Sequence, residues 1–184
     1  PHTPNFQGIA APWPLPCPSL ANAASTSTMA DRPSEDEALE RFRQVFDQWI
    51  PHNKSLQLEF LGHAPGVAMI RLPYAKHLVG NPENGVLHGG AITSLMDATC
   101  GASVFIKRRK PGRIATLDLR IDYLKPATPE LDVIARAECY KVTRSVAFVR
   151  GIAHHGNEDD PIAHAAGAFM LFDEHFGPKK EKRS

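Results

Sequence analysis

The segment from Gly85 to Phe105, GVLHGGAITSLMDATCGASVF, restricts the fold more than any other part of the chain. Its apolar residues recur at helical spacing and alternate with small ones, which predicts a helix from about Gly90 to Lys107 with almost no polar surface. Such a helix must be covered nearly all round. Asp97 is its only acidic residue, whereas a solvated helix face normally carries several charges. We therefore expect Asp97 to have a functional role.

The segments around this helix are typical of antiparallel strands. Residues 56–72 are apolar-rich but interrupted by the turn signal HAPG, and three strand-like runs lie near 131–142, 145–155 and 161–172. Because no later helix could serve as a parallel crossover, the order favours an α+β fold, an antiparallel sheet wrapped around one central helix. Between Thr116 and Tyr123 the residues alternate, which places on one face Leu117, Leu119, Ile121 and Tyr123.

The two ends of the chain differ from this central part. Residues 1–28 contain no Lys, Arg, Asp or Glu and are dense in Pro, Ala, Ser and Thr. We expect a disordered leader over 1–33, one domain over 34–176 and a basic tail over 177–184. The domain begins with a capping-box pattern, and helical spacing over about 35–50 predicts an amphipathic helix through Leu39, Phe42, Phe46 and Trp49.

Charge and cysteine content exclude several classes of protein. The chain has 21 Lys and Arg against 20 Asp and Glu, a net charge of +1, which argues against general binding to nucleic acid or anionic membrane. Its three cysteines, Cys17, Cys100 and Cys139, are widely spaced and lack a C-x-x-C pattern. Reduced thiols and a cytoplasmic, soluble protein without a membrane span are expected.

At this point the motifs resemble a known family. HGGAITSLMD, preceded by NPENGVL and followed by TLDLRIDYLKPA, is similar to the hotdog-fold acyl-CoA thioesterases, and among them the PaaI-like branch. The resemblance extends over roughly residues 56–172. It implies a sheet wrapped around the helix, dimers with joined sheets, and hydrolysis of acyl-CoA thioesters without metal or cofactor.

The resemblance also implies roles for individual residues. Asp97 matches the catalytic acid, acting as general base or nucleophile, and the N–H of Gly89 matches the group that polarises the thioester carbonyl. A polar residue near that carbonyl corresponds to Asn81 or Asn84, and Thr116 matches a hydroxyl residue that helps to hold the attacking water in some relatives.

The residues at the helix start have alternative roles of their own. Free N–H groups at Gly89 and Gly90 form an anion site, and the absence of side chains allows a substrate to approach. His88 is a candidate catalytic base, although a histidine beside a helix start more often makes a structural hydrogen bond, which we favour.

Cations and other histidines complete the candidates. The basic loop that contains Arg109 and Arg113, and Arg144 in a tight turn, are either solvated cations or contacts to the phosphates of coenzyme A. The strand histidines have no carboxylate or cysteine at ligand spacing, so we expect no metal site at His154, His155 and His164. No G-x-S-x-G occurs, which excludes a serine hydrolase, and Cys100 fits a small buried residue better than a thiol nucleophile.

The spacing along the central helix predicts an oligomer. Asp97 lies eight residues from Gly89, which at about 1.5 Å per residue separates them by about 12 Å. One helix therefore cannot easily supply both the oxyanion donor and the attacking group, whereas two antiparallel copies can. We expect a homodimer, or a dimer of dimers, with shared active sites.

Two other functions remain open. A hotdog dehydratase acting on acyl-carrier-protein substrates would pair a catalytic histidine with a helix acid, but usually has a Pro-rich loop at the histidine, which LHGGA lacks. A non-catalytic acyl-CoA sensor would normally carry an output domain. A panel of acyl-CoA substrates separates these functions from hydrolysis.

Overall fold

A computed structural model describes residue 46, residues 50–108 and residues 112–172. The predicted leader (1–33), the basic tail (177–184) and nearly all of the predicted helix at 35–50 lie outside this part, apart from Phe46, which is helical and buried. The described elements are α1 (Pro51–Ser55), β1 (Glu59–Ala64), β2 (Val67–Leu72), a 3₁₀ turn (Lys76–Leu78), β3 (Val79–Asn81), β4 (Val86–Leu87), α2 (Gly89–Arg108), β5 (Ile114–Tyr123), β6 (Val133–Val142), β7 (Val146–His154) and β8 (Ala163–Leu171).

Six of the strands form one antiparallel sheet in the order β1-β2-β6-β7-β8-β5, and β3 and β4 form a small hairpin beside it. The turn signal HAPG joins β1 to β2, where Gly66 has a φ of 76° that suits glycine. The predicted α+β fold, with an antiparallel sheet wrapped around a central helix, is confirmed. The sheet ends at two edge strands, β1 and β5.

The central helix α2 packs against the concave face of the sheet, mainly on β2, β6 and β7. Leu95, Met96 and Val104 are fully buried there. The buried hydroxyls of Thr99 and Ser103 donate to backbone carbonyls of the same helix, both at 2.7 Å, so burial leaves neither unpaired. Among the described helices, α2 alone is long and apolar enough to cross a membrane, but over half of that apolar stretch is buried in the fold.

A β-bulge in β5 corrects the predicted alternation of that strand. Thr116 pairs with Phe169 and Asp118 with Ala168, which leaves Leu117 as an extra residue without a partner on β8. Leu117, predicted on the covered face, is 53% exposed. After the bulge the predicted residues, such as Leu119, face the helix, whereas before it the alternation is shifted by one residue. Thr116 consequently turns toward α2, which unbroken alternation would not have allowed.

Candidate active site

The start of α2 has one backbone N–H without a hydrogen-bond partner. The N–H of His88 donates to Leu78 O at 2.8 Å, that of Gly90 to the His88 ring at Nδ1 (2.9 Å), and that of Ala91 to His88 O (2.9 Å). No acceptor for the N–H of Gly89 is present among the described residues. A helix start normally leaves several such donors, and among the N–H groups of residues 88–91 only that of Gly89 is left without an acceptor from the described residues.

The two glycines of the motif differ in how much room a side chain would have. A Cβ on Gly90 would lie 2.8 Å from Nδ1 of His88, so a side chain there would displace the ring that caps the helix. A Cβ on Gly89 would lie 3.3 Å from the hydroxyl oxygen of Tyr123, which is tight but adjustable. The predicted ligand contact through the Gly90 N–H is therefore occupied by His88, and His88 has the structural role that the sequence favoured.

Tyr123 holds the same helix start from the end of β5. Its hydroxyl donates to Gly89 O at 2.6 Å and lies 2.9 Å from Oγ1 of Thr93. A tyrosine hydroxyl has one proton and a carbonyl can only accept, so Thr93 donates to Tyr123. Sequence reasoning did not single out Tyr123 as a site residue, and the only signal was its place at the end of the strand motif.

Asp97 lies two turns further along α2 and is half-buried. The Thr116 hydroxyl donates to its Oδ1 at 2.8 Å, which brings two of the predicted site residues into contact. No hydrogen bond to Oδ2 is present within the described ranges. The carboxylate therefore has one oxygen oriented by Thr116 and one available to a substrate or water.

Asp97 and Thr116 line a cavity of about 620 Å³, within the usual size of small-molecule sites. Most of its wall is apolar and is formed by Phe46, Ile50, Ala98, Phe105, Leu119 and Phe169. Neither Gly89 nor His88 belongs to this wall. Within one chain, Asp97 therefore lines the cavity and Gly89 does not.

Two polar residues missed by sequence reasoning, His52 and Asn53, also line the cavity, together with Ser94. Oγ of Ser94 donates to Gly90 O at 3.0 Å, and Nε2 of His52 lies 3.1 Å from the same hydroxyl. Because the serine proton is used by Gly90, this histidine and serine do not form a nucleophilic pair. Asn53 is 6% exposed, and its Nδ2 has no hydrogen-bond partner in the part of the chain that the structure describes.

Asn81 and Asn84 lie in the exposed β3–β4 turn. Oδ1 of Asn81 accepts from the N–H of Glu83 at 3.0 Å, and Oδ1 of Asn84 accepts from the N–H of Val86 at 3.1 Å. Each asparagine thus stabilises its own turn and directs its amide nitrogen away from it. The two remain equivalent candidates, and neither lines the Asp97 cavity.

Two of the predicted cations, Arg113 and Arg144, lie at the surface. Arg113 is exposed, with its guanidinium 5.8 Å from the centre of the Phe172 ring, and Arg144 is exposed in the β6–β7 turn. Arg109 lies outside the described residues. Arg113 follows Gly112, a residue of the cavity wall, so it is close to the cavity in sequence.

The fold explains the environment of the cysteines and of two strand histidines. Burial raises the pKa of Cys100 to about 12, with the Asp97 charge adding to the shift, and burial raises the pKa of Cys139 to about 11. Both cysteines are therefore protonated near neutral pH and cannot act as thiolates. The N–H of Thr128 donates to Nε2 of His155 at 2.8 Å, and Nδ1 of His155 lies 2.7 Å from Asp132 O. Nδ1 of His154 accepts from the N–H of Gly156 at 2.9 Å.

A helix wrapped by an antiparallel sheet is the arrangement of the hotdog fold. The model of the thioesterase superfamily matches residues 84–162. The medium/long-chain acyl-CoA thioesterase YigI of Escherichia coli is 28% identical, covering 74% of this chain and 95% of that protein.

Solved structures agree with this comparison. A Pseudomonas aeruginosa protein is 47% identical with a TM-score of 0.66, covering 72% of this chain and 98% of its own. The phenylacetic acid degradation protein PaaI of Thermus thermophilus, solved as a point mutant, is 26% identical with a TM-score of 0.57, covering 66% and 98%. The chain belongs to the thioesterase superfamily, with a PaaI-like hotdog fold, and is a thioester hydrolase.

Proposed function

We propose that this protein hydrolyses the thioester bond of an acyl-CoA or aryl-CoA, with Asp97 as general base or nucleophile and the Gly89 N–H as oxyanion donor. The observation that carries the proposal is that the same helix presents an unpaired N–H at its start and an oriented carboxylate in an apolar cavity. The named activity of the E. coli relative supports the choice of substrate.

The Asp97 carboxylate supplies the attacking group in either of two ways. As a general base, Oδ2 takes a proton from water while the water oxygen adds to the carbonyl carbon. Collapse of the tetrahedral intermediate then breaks the C–S bond, and the protonated Asp97 returns its proton to the CoA thiolate. As a nucleophile, Asp97 displaces the thiolate to form a mixed anhydride that water then hydrolyses. In both, the Thr116 hydroxyl keeps Oδ1 in place.

The Gly89 N–H stabilises the charge that the carbonyl oxygen acquires. It stands at the first position of a helix of 20 residues, where the aligned peptide dipoles favour negative charge. A donor placed in advance at such a position contributes strongly, because removing one from an oxyanion hole typically lowers kcat by about 10²–10³.

The apolar cavity fits the acyl group, and the exposed cations fit the nucleotide. Apolar side chains form most of the wall, so a hydrocarbon or aryl group buries surface there. Arg113 and Arg144, with Arg109 beyond the described part, are the candidates for the phosphates of coenzyme A. We also place the protein in the cytoplasm, which the free thiols of Cys100 and Cys139 support.

Two chains complete one site in this proposal. Asp97 and Gly89 are eight residues apart on one straight helix, about 12 Å, and only Asp97 lines the cavity. A carbonyl between them needs both groups within about 3 Å of its reacting atoms. We infer a homodimer, or a dimer of dimers, in which Asp97 of one chain acts with the Gly89 N–H of the partner subunit.

The edge strand β5 supports this pairing. It is ten residues long, and its helix-facing side carries Thr116 beside Asp97 and Tyr123 beside Gly89. Antiparallel pairing of β5 with its copy, with Thr116 opposite the partner subunit's Tyr123, brings each aspartate toward the glycine of the other chain. With the bulged Leu117 left out of the count, the midpoint of that pairing is Arg120.

The alternative of a dehydratase is weakened by the tautomer of His88. Its Nδ1 accepts a hydrogen bond from the N–H of Gly90, so in the neutral ring the proton is on Nε2. A ring in this state has no free lone pair with which to remove a proton from a substrate.

The experiment is a panel of acyl-CoA substrates assayed for release of free thiol, with the wild type and the Asp97→Asn variant. We expect the variant to lower kcat by about 10² or more with a small change in KM, because the shape is kept and the base or nucleophile is lost. Asp159→Asn, the same change at an exposed site in the turn between β7 and β8, is the control. Tight binding without hydrolysis of any substrate would instead identify an acyl-CoA-binding protein, and normal turnover by Asp97→Asn would reject the assigned residue.

A further inference from the structure

We propose that Tyr123 is a positioning residue, whose hydroxyl fixes the backbone at Gly89 and thereby the direction of the Gly89 N–H. This inference rests on the proposed function, in which that N–H is the oxyanion donor. Tyr123 makes both of its hydrogen bonds to the first turn of α2, at 2.6 Å to Gly89 O and at 2.9 Å to Thr93 Oγ1.

Gly89 stands between two peptide units, and the hydrogen bonds hold both. In the unit between His88 and Gly89, the His88 carbonyl accepts from the N–H of Ala91, and the other end is the Gly89 N–H itself. In the unit between Gly89 and Gly90, the carbonyl accepts from Tyr123 and the N–H donates to the His88 ring. The second unit is therefore restrained at both ends by side chains.

These restraints replace the one that a side chain on residue 89 would provide. Glycine has more backbone freedom than any other residue, and two adjacent glycines make this turn especially free to rotate. An oxyanion donor is effective only if it points at the developing charge before the reaction begins. Tyr123 and His88 together supply that order through their hydrogen bonds to the Gly89–Gly90 peptide unit.

Thr93 extends the arrangement into a directed chain of hydrogen bonds. The Thr93 hydroxyl donates to Tyr123, and Tyr123 donates to Gly89 O, since each hydroxyl has one proton. Hydrogen bonds in such a chain strengthen one another. Loss of the Thr93 hydroxyl should therefore weaken the hold of Tyr123 on Gly89, with a smaller effect than loss of Tyr123.

The test compares Tyr123→Phe with Tyr140→Phe, a tyrosine of similar exposure on β6 (53% against 47%). Tyr123→Phe should lower kcat about tenfold, less than removal of the donor itself, and leave KM within about twofold. Tyr140→Phe should match the wild type. Thr93→Val should have a lower kcat than Thr93→Ser, which keeps the hydroxyl.

Two further measurements separate positioning from a general effect on the fold. The amide resonance of Gly89, followed by ¹⁵N relaxation, should show added exchange in Tyr123→Phe and not in Tyr140→Phe, with equal melting temperatures for the two variants. Tyr123→Phe and His88→Ala should also be non-additive in kcat, because both side chains hold one peptide unit.

An unchanged kcat and an unchanged Gly89 amide in Tyr123→Phe would overturn the inference. A parallel loss of kcat and melting temperature would assign Tyr123 a structural role only. Failure of the proposed function is distinguishable, since it would appear as absence of hydrolysis in the wild type or as full activity of Asp97→Asn, and the amide measurement needs no turnover.

Discussion

The hydroxyl of Thr116 lies 2.8 Å from Oδ1 of Asp97, although the two residues belong to different elements and are 19 positions apart. The contact exists because the bulge at Leu117 turns Thr116 toward α2. The Thr116 hydroxyl thereby donates its proton to Oδ1 of Asp97, and Oδ2 accepts no hydrogen bond from the described residues. Thr116 thus fixes the orientation of the Asp97 carboxylate.

This contact predicts the effect of Thr116→Val, which keeps the shape of the side chain and removes the donor. We expect kcat to fall by roughly tenfold, less than for Asp97→Asn, because the carboxylate is still present but less well ordered. Thr116→Ser should have a higher kcat than Thr116→Val. Steady-state kinetics on one acyl-CoA ester checks this, and equal rates for the two variants would show that the hydroxyl is not used.

A second prediction concerns complementation between chains. Asp97→Asn removes the acid and Gly89→Pro removes the donor, and proline suits the first position of a helix. Each variant should fold, form dimers and be inactive alone. A mixed dimer should recover one intact site of two, about half of the wild-type activity per dimer if the sites are independent.

The complementation is measured on mixed dimers separated by two different affinity tags. The control is a mixed dimer with both substitutions on one chain and a wild-type partner. If the sites are shared, each of its two sites then contains one substituted residue, so both are inactive. If the verified mixed dimer of single variants stays inactive, the site lies within one chain.

Much of this architecture was predictable from the sequence, because burial leaves a periodic pattern. The apolar α2 and the strands around it follow from spacing alone, and Asp97 stands out as the one acidic residue of an apolar helix. The bulge at Leu117 was not predictable, since it depends on pairing with β8, and it decides which residues of β5 face the helix.

The role of Tyr123 was hidden for a different reason. Its two hydrogen bonds join the end of β5 to the start of α2, across 34 and 30 positions in sequence, and no local pattern records such a contact. Asn53 and His52 were missed because they belong to a helix of five residues, too short to give a periodic signal.

A third prediction tests the cations at the surface. Charge reversal by Arg144→Glu, or by Arg113→Glu, should raise KM for CoA esters by several-fold, because a charge-assisted contact to phosphate becomes a repulsion. Hydrolysis of a short thioester without the nucleotide should not change. Lys76→Glu is the control, because Lys76 is exposed and distant from both arginines in sequence. Arg120→Glu is less suitable, because Arg120 lies on β5, the strand of the proposed dimer contact. Equal effects on both types of substrate would show that these residues do not contact phosphate.

A fourth prediction concerns the pH dependence of stability. Burial lowers the pKa of His154 below its ordinary value of 6.5, and the nearby charges of His155 and Arg136 lower it further. The unfolded chain therefore binds a proton before the folded chain does as the pH falls. Stability contributed by this group is present above pH 6.5 and decreases below it, with a limiting slope of about 1.4 kcal/mol per pH unit.

Denaturant unfolding at several pH values between 5 and 8 measures this slope. His154→Asn keeps an acceptor for the N–H of Gly156 and removes the titrating ring, so its unfolding free energy should depend less on pH. His164→Asn, on an exposed position of β8, is the matched control. An equal pH dependence in the wild type and His154→Asn would contradict the assignment.

The last prediction fixes the register of the proposed dimer. If β5 pairs with its copy so that Thr116 faces the partner subunit's Tyr123, Arg120 faces itself across the two-fold axis. Opposed residues of antiparallel strands have Cα atoms about 4.5–5.5 Å apart, within the range that a disulfide spans. Arg120→Cys, in a chain with Cys17→Ser, should therefore form a disulfide-linked dimer on mild oxidation. The buried Cys100 and Cys139 remain as thiols, since burial raises the pKa of both.

Two controls test the register. Asp118→Cys should not link to its own copy, which would lie about 13 Å further along the strand. Ala64→Cys, on the opposite edge strand β1, is the second control. Non-reducing gels and mass spectrometry identify the linked peptides. Efficient linkage through Asp118→Cys but not through Arg120→Cys would move the two-fold axis and exclude this register, and linkage through Ala64→Cys alone would place the interface on β1.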